Sequence, residues 1–234
     1  MEALISINVA KRKYRAILYM TGLSYRGDIM PTSTFFNLDD SKRRQIFDAC
    51  VDEFAAHTFS EASINQIIKS ASISRGSFYQ YFADKEDCYM YLLTEIAKEK
   101  MVLFKDIVAS QKNDTVFDEY VSMFDQAILW IEEKPQYYQI GVKMDMDNSD
   151  FIRKLLKGNQ AGLDYFASLI RRDQQRGIIR EDINADVLTE MLFSINRTAL
   201  MNFFYNRDFK GMKAQLHQIL EIIRKGSTTE ENHV

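Results

Sequence analysis

Residues 63–85, SINQIIKSASISRGSFYQYFADK, hold two helix-start signals with only a few residues between them. Ser63 followed three residues later by Gln66 fits a capping box, in which each side chain satisfies a backbone N–H left open at a helix start. A helix is therefore predicted from Ile64, with Ile64, Ile67, Ile68 and Ala71 on an apolar face and Asn65, Gln66 and Lys69 outside. Ser72 is its predicted stop. Ser74 then caps a second helix through Phe82, anchored in the core by Phe78 and Phe82 four residues apart. Two short helices so joined form a helix-turn-helix, whose second helix enters the major groove by its N-terminal residues.

The side chains left outside suit that task. Arginine reads guanine bidentately, glutamine does the same for adenine, and serine, tyrosine and lysine hold phosphates. Arg75, Ser77, Tyr79, Gln80 and Tyr81 are expected to share the exposed and flanking surface, and Gly76 leaves room for a phosphate to approach the backbone. The plainer alternative is a buried corner rich in aromatics. The two adjacent helix starts and the absence of acidic residues between Ser63 and Phe82 weigh against it.

At these residues the chain resembles the TetR family of bacterial transcription regulators, from about Lys42 to Leu93, with SISRGSFYQYFADKEDCYMYLL as the most characteristic run. The resemblance implies DNA contacts from Ser63, Arg75, Ser77, Tyr79, Tyr81 and Lys85, with Tyr79 and Lys85 mainly on phosphates. Together with the reading of the residues themselves, the candidate DNA-binding set is Ser63, Asn65, Ser74, Arg75, Gly76, Ser77, Tyr79, Gln80, Tyr81 and Lys85. The chain departs from the family pattern at Ser72, where glycine is usual. Serine tolerates a left-handed backbone less well, so strain of about 1 kcal/mol is expected there.

The formal net charge is −3, which argues against general polyanion binding and makes any DNA contact local. Residues 1–29 carry five basic side chains against two acidic ones. They are expected to be a dispensable upstream extension set by the choice of start codon, with a basic arm on the DNA backbone as the alternative. Basic residues interrupt every apolar stretch there, so neither a secretory signal nor a membrane span is expected, and the protein is expected to be cytoplasmic. Cys50 and Cys88 lie among helix-periodic apolar residues, which predicts buried reduced thiols.

From Asp40, the spacing of Ile46, Phe47, Cys50, Val51 and Phe54 predicts a supporting helix. Lys42, Arg43 and Arg44 in its first turns are either phosphate contacts or a solvated face. Asp84 is expected to cap a helix running to about Ser110, a mechanical link between the reader and the second domain. Helices are further predicted over 116–133, 135–147, 150–176 (closed by Gly177), 184–206 and 209–225. The fold class is all-α: an N-terminal three-helix domain with the helix-turn-helix, and a larger C-terminal helical domain for ligand binding and dimerisation. The expected division is 1–29 extension, 30–88 DNA-binding domain, 89–226 regulatory and dimerisation domain, and 227–234 a fraying polar tail. The pair 184–225 carries more apolar residues than one small core needs, and Ile195 and Leu216 are expected to face a partner. By order along the chain it matches the helices that form a four-helix dimer interface in the family.

Other chemistry is sparse. His57, His217 and His233 lack metal-ligand spacing, and Asp145, Asp147 and Asp150 lack the glycine and distal glutamate of a calcium loop, so neither metal nor cofactor is expected. No catalytic constellation is visible, and an enzyme is disfavoured. The family resemblance implies a small-molecule effector in the C-terminal domain. Phe117, Tyr120, Phe124, Trp130, Tyr137 and Phe166 are the candidate lining residues, each equally at home in an ordinary core. The expected function is a homodimeric, sequence-specific DNA-binding regulator, a repressor released from a palindromic operator by its effector. The alternative is a helical ligand-binding or interaction protein that has lost DNA recognition.

Overall fold

The computed structural model describes residues 31–110, 115–157, 160–206 and 209–229; the expectations for residues 1–29 and for His233 lie outside them. Among the described residues every regular element is a helix: α1 (Ser33–Phe36), α2 (Asp40–Ala56), α3 (Ile64–Ser70), α4 (Arg75–Tyr81), α5 (Lys85–Ser110), α6 (Val116–Glu133), α7 (Pro135–Met146), α8 (Asp150–Lys157), α9 (Gln160–Gln175), α10 (Ala185–Asn206) and α11 (Phe209–Ser227). The only β pairing among them is an isolated antiparallel bridge between Ile179 and Thr228. No helix among the described residues is long and apolar enough to cross a membrane.

The chain divides into two compact units, one of Met1–Met101 with Lys134–Asn159, the other of Val102–Glu133 with Gln160–Val234. The position between 88 and 89 falls inside α5. In the first unit Phe35, Phe54, Phe78, Phe82 and Tyr89 are fully buried. Such burial stabilises by about 2–3 kcal/mol per aromatic ring relative to leaving it in water. Phe35 lies edge-on to Tyr81 and Tyr91 and tilted against Phe82, so the short α1 closes the reader's core. Cys50 and Cys88 are buried free thiols with Sγ atoms 3.3 Å apart; their hydrogen bond, then burial, pushes the Cys88 thiol well above its ordinary pKa.

α7 and α8 complete this unit through polar ties. Asp147, at the end of α7, accepts from the Ser60 N–H and hydroxyl, both at 2.7 Å, and from the Ser149 N–H at 2.7 Å. Asp150 pairs with Arg153. Two of the three aspartates that could suggest a calcium loop thus have structural partners.

In the second unit the core is organised by a buried charge network between α6 and α9. Asp173 caps the Val116 N–H at 2.7 Å and accepts from Arg172 and Arg176, while Arg172 also reaches Glu119 at 2.8 Å. Pairing of every charge is what makes their burial tolerable. Asn184 opens α10 by accepting from the Asp186 and Val187 N–H groups. Gly177, at φ 70, closes the turn after α9 in the left-handed region that glycine favours. Ser227–Thr229 do not fray as the sequence suggested. The Ser227 carbonyl accepts from Arg180 N–H, and Thr229 N–H donates to Ile178, so this part of the polar tail closes the unit.

Candidate nucleic-acid interface

The reader is built on α2. Asp39 caps that helix by accepting from the Lys42 N–H, and in the basic run behind it Lys42 and Arg43 have partners within the reader while Arg44 lies on the exposed face. Lys42 Nζ donates to the Ala71 and Ser72 carbonyls at the end of α3, Arg43 donates to Phe36 and Leu38, and Arg44 pairs with Asp48. Lys42 and Arg43 thus hold the reader together by satisfying carbonyls at or just past helix ends.

α3 starts at Ile64 as expected, but the capping box does not form. Ser63 makes no side-chain cap bond, and its N–H donates at 2.7 Å to Oε1 of Glu53, a buried acid from α2. A tertiary carboxylate thus takes the role that the local pattern gave to Gln66. The turn after α3 passes through Ser72 at φ 47, the left-handed conformation anticipated at this departure from glycine. Ser74 caps α4 by accepting from Ser77 N–H at 2.9 Å, with the two hydroxyls 2.8 Å apart.

On α4, Phe78 and Phe82 point into the core with no exposure. Arg75, Gly76, Tyr79 and Gln80 are exposed, as are Asn65 and Ser74, whereas Ser63, Ser77 and Lys85 are half-buried. A Cβ on Gly76 would meet only Ser74 Oγ at 3.7 Å, so nothing within the chain demands glycine there. Tyr81 corrects the expected surface. It lies three residues from Phe78, on the same helical face, and is buried against Phe35 at 5.8 Å between ring centroids. Its carbonyl accepts from Thr32 N–H, a tie between α4 and the chain preceding α1.

Arg75 is already held: Nη1 donates to Asn65 Oδ1 at 2.9 Å, and Cζ lies 5.6 Å from the Tyr79 ring centroid. Lys85 is also engaged. Its Nζ donates to the Ser60 and Ala62 carbonyls and sits 4.8 Å from the Phe59 ring centroid, and burial lowers its pKa. Lys85 therefore clasps the loop between α2 and α3.

The six candidate lining residues are divided between the two units. Phe117, Tyr120, Phe124 and Phe166 are buried in the second unit, where Tyr120 donates to the Leu192 carbonyl at 2.7 Å, and Trp130 is half-buried there. Tyr137 belongs to the first unit, its hydroxyl 3.3 Å from Glu99. A cavity of about 180 Å3 lies instead between α10 and α11, lined by Ile195, Ala199, Leu216 and Ile219 with Ser194, Thr198 and Gln215. Leu216 is wholly buried within the protomer, contrary to its expected place facing a partner. Among the described side chains of this pair, the large apolar ones that face out are Val187, Met191 and Ile222, at 54%, 46% and 71% exposure.

Two short helices joined through a left-handed turn, braced on a longer helix and turning polar side chains outward, define a helix-turn-helix. Residues 46–92 match the family model described as bacterial regulatory proteins, tetR family. The fatty acid metabolism regulator protein of Bacillus subtilis is 25% identical, over 79% of this chain and 95% of that protein. A TetR family transcriptional regulator from Chloroflexus aurantiacus superposes with a TM-score of 0.66 at 25% identity, over 86% of this chain and all of that one. The regulator FadR of Bacillus subtilis, solved in complex with stearoyl-CoA, has the same fold at a TM-score of 0.66 and 18% identity, over 78% of this chain and 98% of its own. The likeness to the tetR family thus rests on residues 46–92 and on a TetR family regulator of similar fold along most of the chain.

Proposed function

We propose that this protein is a homodimeric regulator acting in the cytoplasm, a repressor that binds a near-palindromic operator through α3 and α4 and leaves it when a small molecule binds. The observation that carries this reading is the outer face of α3–α4. It is free of acidic residues, rich in groove-reading side chains, and fixed from behind by Glu53, Lys42 and the Phe35–Phe78–Phe82 core. Arg75 and Gln80 are the base readers in this reading, Ser63, Ser77 and Tyr79 hold phosphates, and Gly76 admits the DNA backbone.

One such face spans too few base pairs to select a genomic site, so two are needed one helical turn or a multiple of it apart. The outward apolar residues Val187, Met191 and Ile222 suit a two-fold interface between copies. Residues 30–88 serve DNA binding in this account, and 89–226 regulation and dimerisation. Since a relative of the same fold binds stearoyl-CoA, acyl-CoA thioesters are the first effector class to test. The test of the reading is selection of duplexes from random sequence by the full-length protein. Enrichment of a two-fold symmetric site is expected; recovery of unselected sequence would refute the proposal.

A further inference from the structure

The arrangement around Arg75 assigns different roles to three residues that the sequence placed together as DNA contacts. Arg75 is the first residue of α4, and Asn65 lies in the first turn of α3. The Arg75 guanidinium has only donors, so the Asn65 atom 2.9 Å from Nη1 is the amide oxygen. An asparagine reads adenine by offering that oxygen together with its amide N–H. Here one of that oxygen's two lone pairs is already engaged by Arg75, so the amide is committed to its neighbour before any base arrives.

Tyr79 supports Arg75 from another side. Its ring lies under the guanidinium at 5.6 Å and stands edge-on to Phe78, with ring centroids 5.3 Å apart; Phe78 is itself fully buried. The ring thus rests against the core of the reader, and the guanidinium is held between that ring and the Asn65 amide. The Asn65 bond uses one of five N–H donors, so a parallel pair remains for the O6 and N7 atoms of guanine. A long, mobile side chain ordered before it meets DNA loses less freedom on binding.

We propose that Asn65 and the ring of Tyr79, whose hydroxyl stays free for a phosphate, hold Arg75 as the reader of one guanine in each half-site, and that Asn65 acts through Arg75. This rests on the proposed DNA-binding function. The test uses the full-length protein and a duplex selected by it, with a second duplex carrying 7-deazaguanine, which lacks the N7 acceptor, at the guanine that Arg75 reads. Arg75→Ala should bind the selected duplex on the order of 10- to 100-fold more weakly and cease to distinguish the two duplexes. Asn65→Ala should bind several-fold more weakly with reduced discrimination, and Asn65→Ala combined with Arg75→Ala should be no worse than Arg75→Ala alone. Asn65→Asp keeps an acceptor for Arg75 and should retain the discrimination even where repulsion from phosphates lowers total affinity.

Thermal melting of each variant separates these effects from loss of fold. An Asn65→Ala penalty that persists in full without Arg75, or no penalty in folded protein, would overturn the assignment. Failure of the wild-type protein to enrich any duplex would overturn the regulator reading and this assignment with it.

Discussion

The outer face of α3–α4 and the outer face of α10–α11 are both exposed, and they are opposites. On the first, the buried Phe78 and Phe82 point inward, while exposed polar side chains are tied to neighbours, Arg75 to Asn65 and Ser74 to Ser77. On the second, the exposed groups include Val187, Met191 and Ile222, beside a cavity lined by Ile195 and Ile219. A fixed polar face offers directed donors to another polar surface, whereas an apolar face gains by removal from water. In the function proposed above, the first face meets nucleic acid and the second a copy of the same chain.

The largest expected effect breaks the first face from behind. Phe82→Ala removes a fully buried ring and should cost about 3–5 kcal/mol by chemical denaturation, because the small core around Phe35 cannot collapse to fill the space. A loss below about 1 kcal/mol would mean that the reader does not depend on that core. Met191→Glu addresses the second face. Met191 is 46% exposed in the protomer, so the variant should fold normally yet sediment as a monomer, with association weakened by more than about 2 kcal/mol. Leu216 cannot serve in this experiment, since a charge at that buried position would unfold the helix pair.

Asp147 sharpens the comparison because it braces the loop leading into α3. Burial alone would raise its pKa, but hydrogen bonds from Ser149 and Ser60 outweigh burial and hold the carboxyl down at about 2, against 3.8 for the free group. A depressed carboxyl contributes stability that is fully present above the unfolded value and is lost as pH falls through the folded one. The contribution should therefore be about 2 kcal/mol at neutral pH and should fade between about pH 4 and pH 2. Asp147→Asn should remove that acid dependence, measured as denaturation midpoint against pH; an unchanged profile would show that Asp147 does not brace the loop. The smallest effect is at Ser72. Ser72→Gly should stabilise the protein by about 0.5–1 kcal/mol by relieving the left-handed serine at φ 47. A destabilised variant would show the turn to be unstrained.

Features set by neighbours in sequence are legible without coordinates. The Ser74 cap, the left-handed turn at Ser72, the inward Phe78 and Phe82, and the Asn184 and Gly177 helix ends each depend on residues within about one helical turn. Features set across the fold are not. Glu53 reaches Ser63 from another helix, Lys42 caps α3 from 29 residues away, and Lys85 closes a loop rather than standing free. A buried acid on an amphipathic helix is the only local trace of the Glu53 cap. A spacing of four between anchors finds Phe78 and Phe82 but misplaces Tyr81, which the helix's other same-face spacing, three, puts beside Phe78. Unit membership is not legible for a related reason: aromatic composition does not say which unit a residue joins, and Tyr137 joins the first.

Both faces meet in one binding measurement. On a two-fold symmetric duplex selected by the full-length protein, two chains should bind, and scrambling one half-site should weaken binding by on the order of 100-fold or more, since a single reading face then remains in register. Equal affinity for the intact and half-scrambled duplexes would contradict the account, because the polar face would then read DNA, if at all, without the pairing proposed for the apolar face.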